Sequence, residues 1–235
     1  MIHAFDIAAN VVLSPLLLAQ ALQVRRKALI LPEPPGPRSG TPEPANTQPP
    51  LRLLILGDSS AAGVGATQQS TALAGQLSGQ LSRRFALQWT LHAQTGETSA
   101  SALARLKTLP DQPFDAAIVV LGVNDVTHLV PLSRWLAQRR ALHAALRDRF
   151  GVTRIIASGL PPMGQFPLLP HPLRATLGRR AARFDAALAT LCATDPNASH
   201  LPLDLPYAPA YVATDGFHPS ETAYALWATL LAAQL

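Results

Sequence analysis

Three side chains in this sequence have the types and settings that acyl transfer demands: Ser59, His218 and Asp215. A serine hydroxyl is a weak nucleophile until an adjacent base takes its proton. His218 can be that base and can later return the proton to a leaving group. Asp215 stands three residues earlier, in Asp-Gly-Phe-His-Pro, and can fix the imidazole tautomer and stabilise its cation. The chemistry also needs donors where negative charge develops on oxygen. The backbone N–H groups of Ser59 and Gly96 and the side-chain amide of Asn124 are the candidates.

Each residue also has a plainer use. Ser59 and Asn124 can cap helices, Gly96 can be an ordinary turn glycine, and Asp215 with His218 can belong to a surface loop. Their joint placement is what these uses leave unexplained, and it follows from the elements that carry them. Short apolar runs at Leu51–Leu56, Leu87–His92, Asp115–Leu121, Arg154–Ser158 and His200–Leu203 read as buried strands. Helical spacing falls between them, at Thr67–Phe85, Ser99–Leu109, Pro131–Phe150, Pro172–Thr194 and Ser220–Leu235. This alternation predicts an α/β fold with a parallel five-stranded sheet covered by helices on both faces. Ligands of such sheets bind beyond the carboxyl ends of the strands. Gly57-Asp58-Ser59-Ser60, Gln94-Thr95-Gly96-Glu97, Gly122-Val123-Asn124-Asp125 and the block around His218 all fall at that edge. Asp58 reads as a turn residue or a brace for the serine loop, and Asp125 as structural.

After the fourth strand, residues 159–170 are apolar and stiffened by proline. Met163, Phe166, Leu168 and Leu169 there either line an acyl pocket or fill core beneath a long loop.

The first fifty residues differ from the rest. Ser14 can cap a helix with Pro15 at its first position. From there Gln20, Gln23 and Lys27 share one face, and Leu17, Leu18, Ala21, Leu22, Val24 and Ala28 cover the other. Such an amphipathic helix either packs on the protein's own body or lies on a membrane surface through residues 11–30. Residues 31–50 carry eight prolines and read as an extended connector. The expected organisation is therefore a helix and connector over 1–50 and a compact domain over 51–235.

Composition narrows the function. With 48% hydrophobic and 14% charged residues, the chain can build a packed core. The net charge of +5 comes almost wholly from arginines scattered along helices, and aromatics are only 6%, so a nucleic-acid partner is not expected. Cys192 is the single cysteine, which excludes a disulfide framework. The histidines lack metal-ligand spacing such as His-Glu-x-x-His, so no metal is expected. The glycines after Leu56 are Gly57, Gly63 and Gly65, which is not a dinucleotide-binding Gly-x-Gly-x-x-Gly run. The basic cluster at Arg25-Arg26-Lys27 follows the apolar run where a secretory signal has it in front, so a cytoplasmic protein is expected, with membrane association the alternative that residues 11–30 leave open.

The four blocks resemble those of the SGNH, or GDSL-type, hydrolases, a family named for serine, glycine, asparagine and histidine in separate blocks. Ser59, Gly96, Asn124 and His218 match them in order. Ser60 replaces the leucine of the family's Gly-Asp-Ser-Leu, a position that does no chemistry. The resemblance covers roughly residues 51–235. It implies a three-layer flavodoxin-like fold, a small-molecule ester substrate such as a lysophospholipid or another acyl ester, and no cofactor. A non-catalytic acyl- or glycan-binding module on the same fold is the alternative.

Overall fold

The computed structural model describes residues 2–42, 46–206 and 208–235, with backbone alone for residues 2–13. Along the chain come a long helix α1 (Ile2–Lys27), a two-residue strand β1 (Ser39–Gly40), and five longer strands. These are β2 (Pro50–Gly57), β3 (Ala86–Ala93), β4 (Ala116–Val120), β5 (Arg154–Ser158) and β6 (Ala198–Leu201). The helices between and after them are α2 (Ser59–Ala62), α3 (Leu73–Leu81), α4 (Ser99–Arg105), α5 (Val123–Thr127), α6 (Leu132–Phe150), α7 (Leu173–Ala193) and α8 (Glu221–Ala232).

The sheet order is β1-β3-β2-β4-β5-β6, with β2 to β6 mutually parallel. In β2 every residue from Leu53 to Leu56 is fully buried. Because side chains alternate across a strand, Leu53 and Ile55 enter one core while Leu54 and Leu56 enter the other. The first core is closed by α3 and α8, the second by α4 and α6. A third apolar cluster joins Trp135 of α6, the loop after β5 and the inner face of α7. This is the expected three-layer architecture. The chain steps from β2 outward to β3 and then back across β2 to β4, so the strand order reverses at the carboxyl end of β2. A crevice opens at such a reversal point.

The structure departs from the sequence reading in three places. The sheet has a sixth strand: the proline-rich segment lays β1 antiparallel on β3, pairing Ser39 with Thr90 and Gly40 with Trp89. The segment is docked as well as extended, since Pro34 is buried and the Pro35 carbonyl accepts the Gln69 N–H at 2.9 Å. The helix expected over Thr67–Phe85 is only Leu73–Leu81. Its first residues are drawn aside by tertiary partners, Thr67 and Thr71 both donating to Glu221 on α8.

The N-terminal helix is the third. It is continuous through Ser14, with Pro15 inside it, so Ser14 is no N-cap. Its polar and apolar faces are not the expected ones. Gln20 points inward, donating to the His171 carbonyl at 2.6 Å and accepting from the Leu173 N–H at 3.1 Å. Leu17 and Val24 flank it against the third cluster. Leu16, Leu18 and Leu22 are exposed, the last two at the edge of a groove between α1 and α7. The helix packs on the body, and its outer surface is apolar. No helix among the described residues is long and apolar enough to cross a membrane.

Candidate active site

Ser59 is placed by the end of β2. The strand finishes at Gly57, and the Asp58 N–H donates to the Val120 carbonyl at the end of β4, at 3.1 Å. A Cβ on Gly57 would stand 2.5 Å from both Ala61 Cβ and the Val120 oxygen, so only glycine lets the chain turn this tightly into α2. Asp58 caps α2 through its carboxyl oxygen, which accepts the Ser60 N–H at 3.0 Å. Ser59 then opens the helix, buried but bordering a cleft.

His218 and Asp215 come from the loop before α8. The Ala213 N–H donates to the His218 carbonyl at 2.8 Å, which closes the loop into a compact turn. Ser220 ends the turn by capping α8. Within the turn, Asp215 Oδ1 accepts the backbone N–H groups of Phe217 and His218 at 2.9 and 3.0 Å. Its other oxygen, Oδ2, lies 2.5 Å from His218 Nδ1. On the far side of the ring, His218 Nε2 lies 2.9 Å from Ser59 Oγ. Burial works to raise the Asp215 pKa, yet the donated hydrogen bonds from His218 and Phe217 outweigh it and hold the carboxylate below its ordinary range. The carboxylate therefore stays charged beside an imidazole whose second nitrogen faces the serine.

Gly96 and Asn124 lie on neighbouring loops that are stitched together. The loop after β3 starts where the Gln94 N–H meets the Gly57 carbonyl, at 3.1 Å. Gly96 has φ +82°, a left-handed conformation that glycine adopts without strain. The side-chain amide of Asn124, in α5, donates to the Glu97 carbonyl at 2.9 Å. One of its two amide hydrogens is thus used as an anchor, and a second exists.

Several supports hold these loops, and apart from Asp125, which the sequence marks as structural, they were not singled out there. Glu97 is buried and takes a two-pronged ion pair from Arg105, at 2.6 and 2.8 Å. Glu33, from the proline-rich segment, accepts both the Thr95 N–H and its hydroxyl, at 2.7 and 2.8 Å. Arg38 pairs with Glu33 and also donates to the Ala93 carbonyl at the end of β3. Asp125, fully buried, accepts the Ser99 N–H and hydroxyl, and Trp135 donates its indole N–H to that hydroxyl at 3.0 Å. Spacing in the chain gives no sign of the Glu33 contact, because 62 residues separate its partners.

The cleft over Ser59 and His218 is narrow, about 50 Å³, with walls from Leu160, Phe166, Leu205 and Phe217. The four loop residues read as candidate pocket lining divide. Phe166 borders this cleft and meets Phe217 edge-on at 4.9 Å. Leu169 borders a separate groove beneath α1. Met163 is fully buried in the third cluster and belongs to the core. Leu168 borders neither space, and its N–H instead ties the loop to the Gly216 carbonyl at 3.2 Å. Among the described residues no group of three or more histidine, cysteine or acidic side chains could hold a metal ion.

Residues 55–226 match the GDSL-like Lipase/Acylhydrolase family. The chain is 30% identical over 197 residues to the GDSL-like esterase Rv1075c of Mycobacterium tuberculosis, covering 77% of this chain and 60% of that protein's length. Among solved structures, the lipase Lip_vut3 from a goat rumen metagenome superposes with a TM-score of 0.61 at 17% identity, covering 78% of this chain and 96% of that one. The psychrotrophic esterase EstA from Pseudoalteromonas sp. gives 0.58 at 22% identity, over 77% and 93%. At these identities the two structures speak to the fold.

Proposed function

Because the chain belongs to the GDSL-like lipase/acylhydrolase family, we propose that it hydrolyses carboxylic esters through an acyl-enzyme on Ser59. One observation carries this reading: a continuous hydrogen-bonded line from Asp215 through His218 to the Ser59 hydroxyl, at 2.5 and 2.9 Å. Asp215 accepts from Nδ1, which leaves Nε2 as the base facing the serine. Nε2 takes the hydroxyl proton as Oγ attacks the ester carbonyl. The tetrahedral oxyanion is met by the Ser59 and Gly96 N–H groups and by the free hydrogen of the Asn124 amide. His218 delivers the proton to the departing alcohol, then activates water to release the acid.

The substrate class is an acyl ester, lysophospholipids included. The apolar cleft walls support it. So do the exposed leucines of α1, followed in the chain by Arg25, Arg26 and Lys27, a combination suited to a lipid surface.

The test is hydrolysis of a p-nitrophenyl ester series by wild type and Ser59→Ala, with fluorophosphonate labelling of both. Turnover and labelling are expected in wild type and lost in Ser59→Ala. Substantial esterase activity in Ser59→Ala refutes the assignment. Turnover absent from both proteins, with no labelling, favours a binding module instead.

A further inference from the structure

We propose that the space between α1 and α7 is an acyl-chain groove serving the Ser59 site, so that the N-terminal helix sets the chain length of the ester. This rests on the reading of Ser59 as the nucleophile. The groove measures about 1120 Å³, at the upper end of the roughly 300–1,000 Å³ typical of small-molecule sites. The cleft over Ser59, at about 50 Å³, takes little beyond the reacting ester. The groove walls are Leu17, Leu18 and Leu22 of α1 facing Leu173, Leu177 and Phe184 of α7.

Two observations identify the occupant. First, cleft and groove share a wall, Phe217, whose ring packs 5.2 Å from the His218 ring. Phe217 stands between them, and in this proposal the chain passes it to reach the groove. Second, the charged side chains that border the groove among the described residues have one sign: Arg25, Arg179 and Arg180 line it, and no described aspartate or glutamate does. An apolar chain on a neutral or anionic molecule suits such a site. At the mouth, Leu18 is 62% and Leu129 66% exposed, a level of apolar exposure that a monomeric surface seldom concentrates in one place without a ligand or partner. The α1 wall lies outside the segment matched to the family, residues 55–226.

The experiment measures kcat/KM for p-nitrophenyl butyrate and laurate with wild type and Ala21→Trp. Ala21 is an exposed residue of α1 on the groove wall, where an indole fills the space without disturbing the core. Each methylene taken fully out of water adds up to about fourfold, so the laurate-to-butyrate ratio is expected to exceed about tenfold in wild type. In Ala21→Trp that ratio falls by about tenfold. A Ser59-dependent enzyme with a flat chain-length profile, or a ratio unmoved by Ala21→Trp, overturns the groove and leaves the hydrolase reading standing. If Ala21→Trp instead turns a dimer into a monomer with the ratio unmoved, a second copy occupies the groove and the proposal falls. If no ester is turned over, the hydrolase reading fails by itself. Titration with a fluorescent fatty acid then decides the groove: saturable binding lost in Ala21→Trp supports it, and no saturable binding overturns it.

Discussion

Replacing Asp58 with asparagine should stabilise the protein above neutral pH and leave it unchanged in acid. Asp58 is 3% exposed, and burial pushes its carboxyl up from an ordinary 3.8 to about 7. The Ser60 N–H and His218 oppose that rise, while the nearby Asp125 and Glu97 carboxyls add to it. The sign follows from proton counting. Between 3.8 and 7 the folded chain keeps a proton that the unfolded chain has released, so stability falls as pH rises through that window and levels off above it. At ~1.4 kcal/mol per pH unit, the interval amounts to roughly 4 kcal/mol. An asparagine amide in its place carries no titrating proton and retains a side-chain oxygen for the Ser60 N–H, so Asp58→Asn removes the loss and keeps the cap. Urea denaturation of both proteins from pH 4 to 8 reads the effect directly. With a slope of ~2 kcal/mol/M, the midpoints should coincide near pH 4 and differ by about 2 M above pH 7. Two curves that run parallel across the range refute the argument, because they mean that Asp58 ionises as easily folded as unfolded.

Asp215→Asn keeps the size of the side chain but presents the wrong partner to His218 Nδ1, so kcat should drop by about 10³–10⁴ with fluorophosphonate labelling slowed in step; loss below about tenfold denies Asp215 its role. Glu33→Ala removes both hydrogen bonds to Thr95 and loosens the loop that holds Gly96. Its kcat should fall by about tenfold with KM little changed, since the loop acts on the oxyanion more than on the ground state. Rescue in Glu33→Asp, or its absence, separates positioning from folding.

Three of the four blocks were legible because each follows directly on an apolar strand, and strand ends in a parallel sheet converge on one edge; the fourth, around His218, stands just before the last helix. Ser59 and Asn124 needed only that rule and the chemistry of their side chains, and His218 was marked by Asp-Gly-Phe-His-Pro ahead of a helix. What escaped the sequence depends on distant partners. Nothing near Thr67 signals that Glu221 will pull it out of a helix. Nothing near Ser39 signals a strand, since its partner Thr90 lies far along the chain and the pairing is carried by backbone atoms that every residue has. Gln20 misled for a related reason. A glutamine reads as solvent-facing until the unsatisfied carbonyl of His171 and N–H of Leu173 at the start of α7 give its amide a place inside. Met163 and Phe166 are three residues apart and equally apolar, and only the packing of the loop sends one to the core and the other to the cleft.

The bridge from Glu33 and Arg38 to Thr95 and Ala93 changes what counts as a transferable unit. The stretch matched to the family, residues 55–226, holds every proposed reacting group, yet it leaves out the two side chains that hold the Gly96 loop from behind and cuts α8 before its end. An engineer grafting this machinery into another scaffold, or a recombination event shuffling it between genes, would carry the chemistry across without its brace. The smallest cassette that keeps this brace starts at Glu33, within a run of prolines that composition alone marks as mere tether.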